Sequence, residues 1–325
     1  MRSSSFAVLR LLAAGRFRSG EELGAALGLS RAMVWRAVRE LEAHDLKVFK
    51  VPGRGYRLRV PFDVLDADAV RRRLGRHRQV MRLELLDECE STSTLLAVRA
   101  AAGAPSGTAL ACELQRAGRG RHGERWYSGL GTSLTCSVLW RFDSGAAALG
   151  GLSLAVGVAC RRALAKLGHT EVALKWPNDL VVGDGKLGGI LIELSGDALG
   201  PTAAVIGVGV NVRVPDAARR AIGRPVADLA AGREAPAPRC VLLAGLLAAL
   251  AEALPVFARE GFGAFRDEWL RHHAYQGRRV HVLVPPQRQV EGVASGVAED
   301  GALVVETRGG IERFHSAEVR LRAAA

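Results

Sequence analysis

A glycine-rich hexapeptide sets the first limit on the fold. Gly118-Arg119-Gly120-Arg121-His122-Gly123 has the spacing G-x-G-x-x-G and follows a plausible strand, Ala109 to Leu114. Asp143 lies about 20 residues beyond, after a second apolar run, Leu134 to Trp140, where a dinucleotide-binding fingerprint would want an acid. Such a unit needs a helix directly after the glycines, so that its first amides meet the pyrophosphate. Residues 124–133 read Glu-Arg-Trp-Tyr-Ser-Gly-Leu-Gly-Thr-Ser instead, with two glycines and no 3.6-residue apolar period. A nicotinamide-binding Rossmann unit is thereby excluded, and so is a Walker A loop, because no Gly-Lys-Ser/Thr follows. What remains is a flexible loop. Its glycines let the backbone approach a ligand, and Arg119 and Arg121 present forked donors to carboxylate or phosphate. It is expected to order on ligand binding, with a purely structural surface loop as the competing reading.

A second constellation starts at Leu174-Lys175-Trp176-Pro177-Asn178-Asp179-Leu180-Val181-Val182, a strand that bends at Trp-Pro and resumes. Gly183-Asp184-Gly185 then turns the chain into Lys186-Leu187-Gly188-Gly189-Ile190-Leu191-Ile192-Glu193-Leu194. Five lysines stand against forty arginines in the chain, and two of the five, Lys175 and Lys186, fall within these twelve residues. A lysine retained in so arginine-rich a chain marks a place where a compact ammonium is needed. Two ammonium groups, an amide and a carboxylate on one hairpin can clamp phosphates and stabilise the charge of phosphoryl or nucleotidyl transfer. Asp179 either binds Mg²⁺ or orients a ligand. Edge-strand lysines kept for solubility are the plain alternative, and beside the arginine loop that alternative loses. Val205 to Val212 adds a strand in which Gly207 and Gly209 allow close ligand approach, ending near Asn211.

The net charge is +12, and residues 1–60 hold 12 Lys/Arg against 5 Asp/Glu. A basic module at one end points to a polyanion, nucleic acid before membrane. Apolar spacing gives helices over Ser5 to Ala14 and Gly20 to Leu27, and Ser30 is a good N-cap for a third, Arg31 to Ala43. Val34, Val38 and Leu41 make its buried stripe, leaving Arg31, Trp35, Arg36 and Arg39 on other faces. Two β-runs, Leu46 to Val51 and Tyr56 to Leu58, flank Pro52-Gly53-Arg54-Gly55. Together these read as a winged helix-turn-helix, with Ser30, Arg31, Trp35, Arg36, Arg39 and the wing-tip Arg54 toward DNA. Trp35 either wedges against DNA or tucks into the apolar seam. A three-helix protein-interaction domain is the alternative, and the basic wing tip argues against it.

Five scattered cysteines without a C-x-x-C argue against a disulfide framework or a cysteine-based zinc site and point to a reducing cytoplasm. No apolar stretch reads as a membrane span, and Arg10 interrupts any signal-peptide core. Short strands over Arg278 to Val284, Val290 to Val297, Leu303 to Thr307 and Ile311 to His315, around turns at Pro285-Pro286, Asp300-Gly301 and Gly309-Gly310, suggest a small C-terminal barrel.

In order and spacing, Glu90-Ser91-Thr92-Ser93, Gln115 to Gly123, Lys175 to Leu180 and Lys186 to Leu191 resemble the biotin–protein ligases, and with the N-terminal module the whole chain resembles the bifunctional ligase and biotin-operon repressor form. Ser93 stands where the family has Asn, and His122 where its loop often has Arg. The resemblance implies an α/β multidomain protein with a winged helix-turn-helix at 1–62. A class II synthetase-like biotin/lipoate ligase domain with a mixed sheet would follow at 63–274, and an SH3-like small barrel at 275–325.

It also implies that ATP, with Mg²⁺, activates biotin as biotinyl-5′-AMP, which passes to a lysine of a biotin carboxyl carrier protein. Lys186, Arg121 and Asp179 would act catalytically, with Mg²⁺ on the ATP phosphates and Asp179 near it. Ser91, Thr92, Ser93, Gln115, Gly118, Arg119, Gly120, Arg121, Lys186 and Gly189 would hold biotin. Arg121, Trp126, Lys175, Asn178, Lys186 and Asn211 would hold ATP. Operator DNA would be bound by a homodimer of the adenylate-bound protein, with no membrane partner. Two readings compete: a transcription regulator whose central domain only senses a small molecule, and a lipoate-type ligase on the same fold. On this modular view, deleting residues 1–60 removes operator binding and leaves acceptor biotinylation largely intact.

Overall fold

A computed structural model describes residues 1–233, 236–284, 288–315 and 320–323. The N-terminal module comprises α1 (Ser3–Leu12), α2 (Gly20–Leu27), α3 (Arg31–Ala43) and the hairpin β1 (Val48–Val51) and β2 (Gly55–Leu58). Ser19 and Glu22 form a reciprocal capping box at the start of α2, and the Ser30 hydroxyl accepts from the Met33 amide, 3.2 Å, at the start of α3. Val34, Val38 and Leu41 are buried against α1. The first helix begins and ends two residues earlier than its apolar spacing predicts.

The central unit is built on α4 (Ala67–Leu74), β3 (Arg82–Cys89), α5 (Thr92–Ala101), β4 (Thr108–Gln115), β5 (Ser133–Phe142), α6 (Leu152–Lys166), β6 (Ala173–Lys175), β7 (Asp179–Val182), β8 (Gly185–Gly196), β9 (Thr202–Asn211), α7 (Asp216–Ile222), α8 (Arg239–Glu260) and α9 (Gly263–Arg271). The strands form one mixed sheet in the order β3-β4-β5-β9-β8-β7-β6, parallel only between β3 and β4. Because successive side chains alternate faces, Leu134, Cys136 and Val138 of β5 and Ala204, Ile206, Val208 and Val210 of β9 join the main core with α4, α6, α8 and α9. On the other face Leu139, Val205 and Ala203 pack under α5 with Leu96 and Ala100. Further along that face the same two strands carry Ser133, Thr135, Ser137, Gly207 and Gly209, which leaves room for a site.

Helix α8 corrects the membrane reading by length. Its 22 residues are long and apolar enough to cross a bilayer, and 67% of its apolar window is buried in the fold. A core helix apolar on most faces meets the same criterion as a membrane span. At its start the Arg239 guanidinium is buried and pairs with Glu113 at 2.7 Å, while the other Glu113 oxygen accepts from the Leu65 amide at 2.6 Å. The stretch joining the N-terminal module to the sheet is thus fixed from within.

The C-terminal unit is a five-stranded antiparallel sheet in the order β13-β12-β11-β10-β14, from β10 (Arg279–Val284), β11 (Arg288–Val297), β12 (Leu303–Thr307), β13 (Gly310–Phe314) and β14 (Arg320–Ala323). Four of these strands follow the predicted runs, and β14 is additional. The predicted Pro285-Pro286 turn lies outside the described residues. The Trp176 indole donates to the Gly301 carbonyl at 3.0 Å, tying this unit to the central one.

Candidate functional site

A cavity of about 790 Å³ opens on the α5 face of the central sheet. Its floor is a run of small hydroxyls. The Gln115 side-chain oxygen accepts from the Thr92 amide at 2.7 Å and the Thr92 hydroxyl at 2.9 Å. The Ser137 hydroxyl lies 2.8 Å from that of Thr92 and 3.0 Å from that of Ser93. Ser91 caps α5, accepting from the Thr94 amide. Ser93, Thr92 and Gln115 are therefore held at the mouths of β3 and β4. Thr135 and Ser137 also line this floor and were not marked by the motifs. Their signal was an alternation of small hydroxyls, Ser133, Thr135 and Ser137, inside an otherwise apolar strand.

The charged wall comes from β7 and β8. Lys186 Nζ sits 2.6 Å from Asp179 Oδ1. Asn178 donates to the Ile190 carbonyl at 2.6 Å, and Arg121 approaches the Asn178 side-chain oxygen at 3.5 Å. Burial lowers the Arg121 pKa from its ordinary value, while the nearby Asp179 charge opposes that shift. An arginine with so little acid around it is suited to an incoming anion.

The glycine loop is a tight turn with one short 3-10 turn, Arg121–Gly123, and no α-helix follows it, as its sequence requires. A single antiparallel bridge pairs Arg119 with Arg125, the Gly120 amide donates to the Glu124 carbonyl at 2.6 Å, and His122 takes a positive φ of 54°. Two pairs that no motif marks hold the turn: Arg119 with Glu193 of β8, 3.0 Å, and Arg224 with Glu124, 2.9 Å. Both join residues far apart in sequence.

The glycines of β9 have a different immediate use from the expected one. A Cβ on Gly209 would stand 2.6–2.9 Å from the Trp126 indole, and one on Gly207 would stand 2.5 Å from the Ser93 hydroxyl. The space these glycines leave is filled by the protein's own side chains, which it brings down onto the sheet. Trp126 Nε1 is buried and finds no hydrogen-bond partner among the described residues, so it is a donor left for a ligand.

Two expected contacts move behind the site. Asn211 is 6% exposed, and its amide donates to the carbonyls of Lys186 and Ala227, 3.1 Å each. It positions β8 and is not part of the cavity wall, because its donors are already satisfied by backbone. Gly118 also stays out of the wall. Its carbonyl accepts from the Trp126 amide at 2.8 Å. Lys175, Gly120 and Gly189 do line the cavity. So do Tyr275 and Arg278, from the segment entering the C-terminal sheet, which the motifs did not mark.

In the N-terminal module Arg31, Arg36, Arg39 and Arg54 are exposed. Trp35 is 52% exposed, with Arg39 stacked on it at 5.8 Å, so it lies on the outer face of α3 and not in the apolar seam. Phe17 carries both wing arginines, Arg54 at 4.3 Å and Arg57 at 4.8 Å.

Comparison with known proteins follows the same three parts. Family models match as an HTH domain over residues 5–57, the biotin/lipoate A/B protein ligase family over 86–211 and the biotin protein ligase C terminal domain over 275–322. Fold and site together define a biotin/lipoate-type ligase domain between a helix-turn-helix module and a small β domain. The chain is 36% identical to the bifunctional ligase/repressor BirA of Salmonella typhimurium, over 98% of this chain and 97% of that one. It is 32% identical to the biotin--[acetyl-CoA-carboxylase] ligase of Mycobacterium tuberculosis, over 78% and 93%. The structure of the Aquifex aeolicus biotin protein ligase in complex with biotin and ATP superposes with a TM-score of 0.64 at 28% identity, over 74% of this chain and 99% of that one. This chain belongs to the family of bifunctional biotin ligase/repressors.

Proposed function

We propose that this protein activates biotin with ATP and transfers it to a lysine of a biotin carboxyl carrier domain. We further propose that, through its winged helix, it represses transcription of biotin biosynthesis genes in response to biotin. The observation that supports the first reading is one cavity with a hydroxyl-and-amide floor and a cationic wall of Lys186 and Arg121. A carboxylic acid and a triphosphate repel, and cations between them lower that cost. In the first step a biotin carboxylate oxygen attacks the α-phosphorus, and the bond from that phosphorus to the β-bridging oxygen breaks, releasing pyrophosphate. In the second the acceptor amine attacks the acyl carbon, AMP leaves, and the amine loses a proton to solvent.

The assigned roles follow from position. Ser91, Thr92, Ser93 and Gln115 receive the polar end of biotin. Lys186, held by Asp179, lies between carboxylate and α-phosphate. Arg119, Gly120 and Arg121 close over the mixed anhydride, and Gly189 gives it room. Trp126, Lys175 and Asn178 form the nucleotide side. Mg²⁺ fits as an ion carried on the ATP phosphates, whose charge it offsets. Among the described residues no group of three or more His, Cys, Asp or Glu could hold a metal, and Asp179 is already paired with Lys186. The working boundaries are 1–62, 63–274 and 275–325.

Exposed Arg31, Trp35, Arg36, Arg39 and Arg54, with Ser30 at the helix start, are proposed to contact operator DNA. A dimer formed on adenylate binding would present two such modules to two half-sites. Incubation with ATP and either biotin or lipoate, followed by mass spectrometry, tests the ligase reading. A biotinyl adenylate is the expected product. A lipoyl adenylate, or none, refutes it in favour of another acyl ligase or a sensor. Sedimentation with biotin and ATP tests the dimer, and a monomer that still binds operator DNA when saturated would refute the coupling.

A further inference from the structure

The cavity has more cationic groups than a carboxylate and one phosphate require. Lys186 pairs with Asp179, Arg119 with Glu193 and Arg224 with Glu124. Arg121, Arg125 and Arg278 have no such partner among the described residues, and of these Arg278 is the one contributed by the approach to β10. It is exposed, it lines the cavity, and it makes no ion pair with any described acid. Its guanidinium sits over the Tyr275 ring at 5.3 Å, and Lys175 of β6 sits over the same ring at 5.4 Å. Tyr275 is itself well fixed. The ring is buried, and the adjoining Ala274 amide donates to the Leu174 carbonyl of β6 at 2.8 Å. The Arg278 amide in turn donates to the Tyr275 carbonyl at 3.0 Å. An aromatic platform thus holds two cations at the end of the cavity contributed by the approach to β10.

We propose that Arg278, seated on Tyr275, binds the β- and γ-phosphates of ATP and the pyrophosphate that leaves. The inference rests on the ligase reading and extends it, because the C-terminal unit then supplies part of the first step and none of the second. A guanidinium offers two parallel donors to a phosphate, and stacking limits the rotamers it must lose on binding. The adenylate, which has lost those two phosphates, has nothing for Arg278 to hold.

The test uses the full chain with Arg278→Gln and Arg278→Lys, both at an exposed position. Four quantities are measured: KM for MgATP and KM for biotin in adenylate formation, inhibition by added pyrophosphate, and the rate of transfer from synthetic biotinyl-5′-AMP to a carrier domain. For Arg278→Gln, KM for ATP is expected to rise about tenfold, or about 1.4 kcal/mol, and pyrophosphate inhibition to weaken in parallel. KM for biotin and the transfer rate stay unchanged, and Arg278→Lys recovers part of the loss. An ATP KM within twofold of wild type overturns the proposal. So does an equal loss in transfer, which would mark a structural role. A wild-type protein that forms no adenylate from biotin and ATP refutes the ligase reading and this proposal with it.

Discussion

Removing residues 1–60 is expected to damage the ligase, although none of them lines the cavity. The modular view leaves acceptor biotinylation largely intact, and the shared core argues for a larger effect. Leu114 at the end of β4 is 5% exposed and Leu130 before β5 is 4% exposed, and both belong to the core of the N-terminal module, with Phe6, Leu9, Val38 and Leu58. Uncovering a buried leucine costs about 1.5–3 kcal/mol, so the pair together amounts to roughly 3–6 kcal/mol. That is a large share of the 5–15 kcal/mol typical of a folded domain. The exposed Arg10–Asp87 pair adds little, since solvent screens it.

At this chain length a kilocalorie corresponds to about 2–4 °C in melting temperature. The main transition of the truncated chain should therefore fall by roughly 6 °C or more. Leu114 immediately precedes Gln115, and Leu130 lies between Trp126 and the hydroxyl-bearing β5, so KM for biotin should rise as well. Tryptophan fluorescence follows the melt, because Trp126, Trp140, Trp176 and Trp269 all remain after truncation. Leu114→Thr with Leu130→Ser, in the truncated chain, should recover part of the loss by removing the uncovered apolar surface. A truncated protein that melts within 2 °C of the full chain, with an unchanged KM for biotin, would refute the shared-core argument.

Lys186→Ala removes the cation proposed for the carboxylate–phosphate junction and strands Asp179, so single-turnover adenylate formation should fall by about 10²-fold or more while the melt barely shifts. An unchanged single-turnover rate would remove Lys186 from the chemistry. Burial lowers the His273 pKa to about 4, below its ordinary 6.5, so the folded state binds fewer protons than the unfolded state between those values. Stability should be full above pH 6.5 and decline as pH falls toward 4, by about 3 kcal/mol in all, and His273→Gln should flatten that slope in acid titrations of the melting temperature. Phe17→Ala removes the ring beneath Arg54 and Arg57 and should weaken operator binding about threefold to tenfold with ligase activity intact, measured by anisotropy at fixed salt.

Much of this fold could be read locally. The third helix runs from Arg31 to Ala43 because Ser30 can cap it and Val34, Val38 and Leu41 repeat on one face. The stretch after the glycine loop forms no helix, as Gly129 and Gly131 dictate, and that alone separates this site from a nucleotide fold of the Rossmann kind. The pair Lys186–Asp179 was legible too, since the turn at Gly183-Asp184-Gly185 returns the chain antiparallel and brings β8 beside β7. In each case the signal and the structure it specifies lie within about a dozen residues, the range over which caps, turns and hydrophobic periods act.

What escaped the sequence reading is non-local, and the reason is physical. Tyr275 and Arg278 reach the cavity because the segment after α9 pairs with β6, Leu174 beside His273, across about a hundred residues. Nothing in either stretch alone encodes that register. Glu193 reads as an exposed strand acid until β8 and the glycine loop are placed together, when it becomes the partner of Arg119. Leu114 misleads for the opposite reason. An apolar residue in a strand satisfies the period of its own sheet whichever core covers it. Sequence therefore shows that such a residue is buried without showing by what, and here the covering surface belongs to the DNA-binding module. Leu114 directly precedes Gln115, whose partner in β3 is Cys89, two residues before the cavity's Ser91. At Leu114 and Gln115 the surface that seats the DNA-binding module and the floor of the cavity are therefore consecutive residues of one strand end, so separating the two modules disturbs the backbone that carries Gln115.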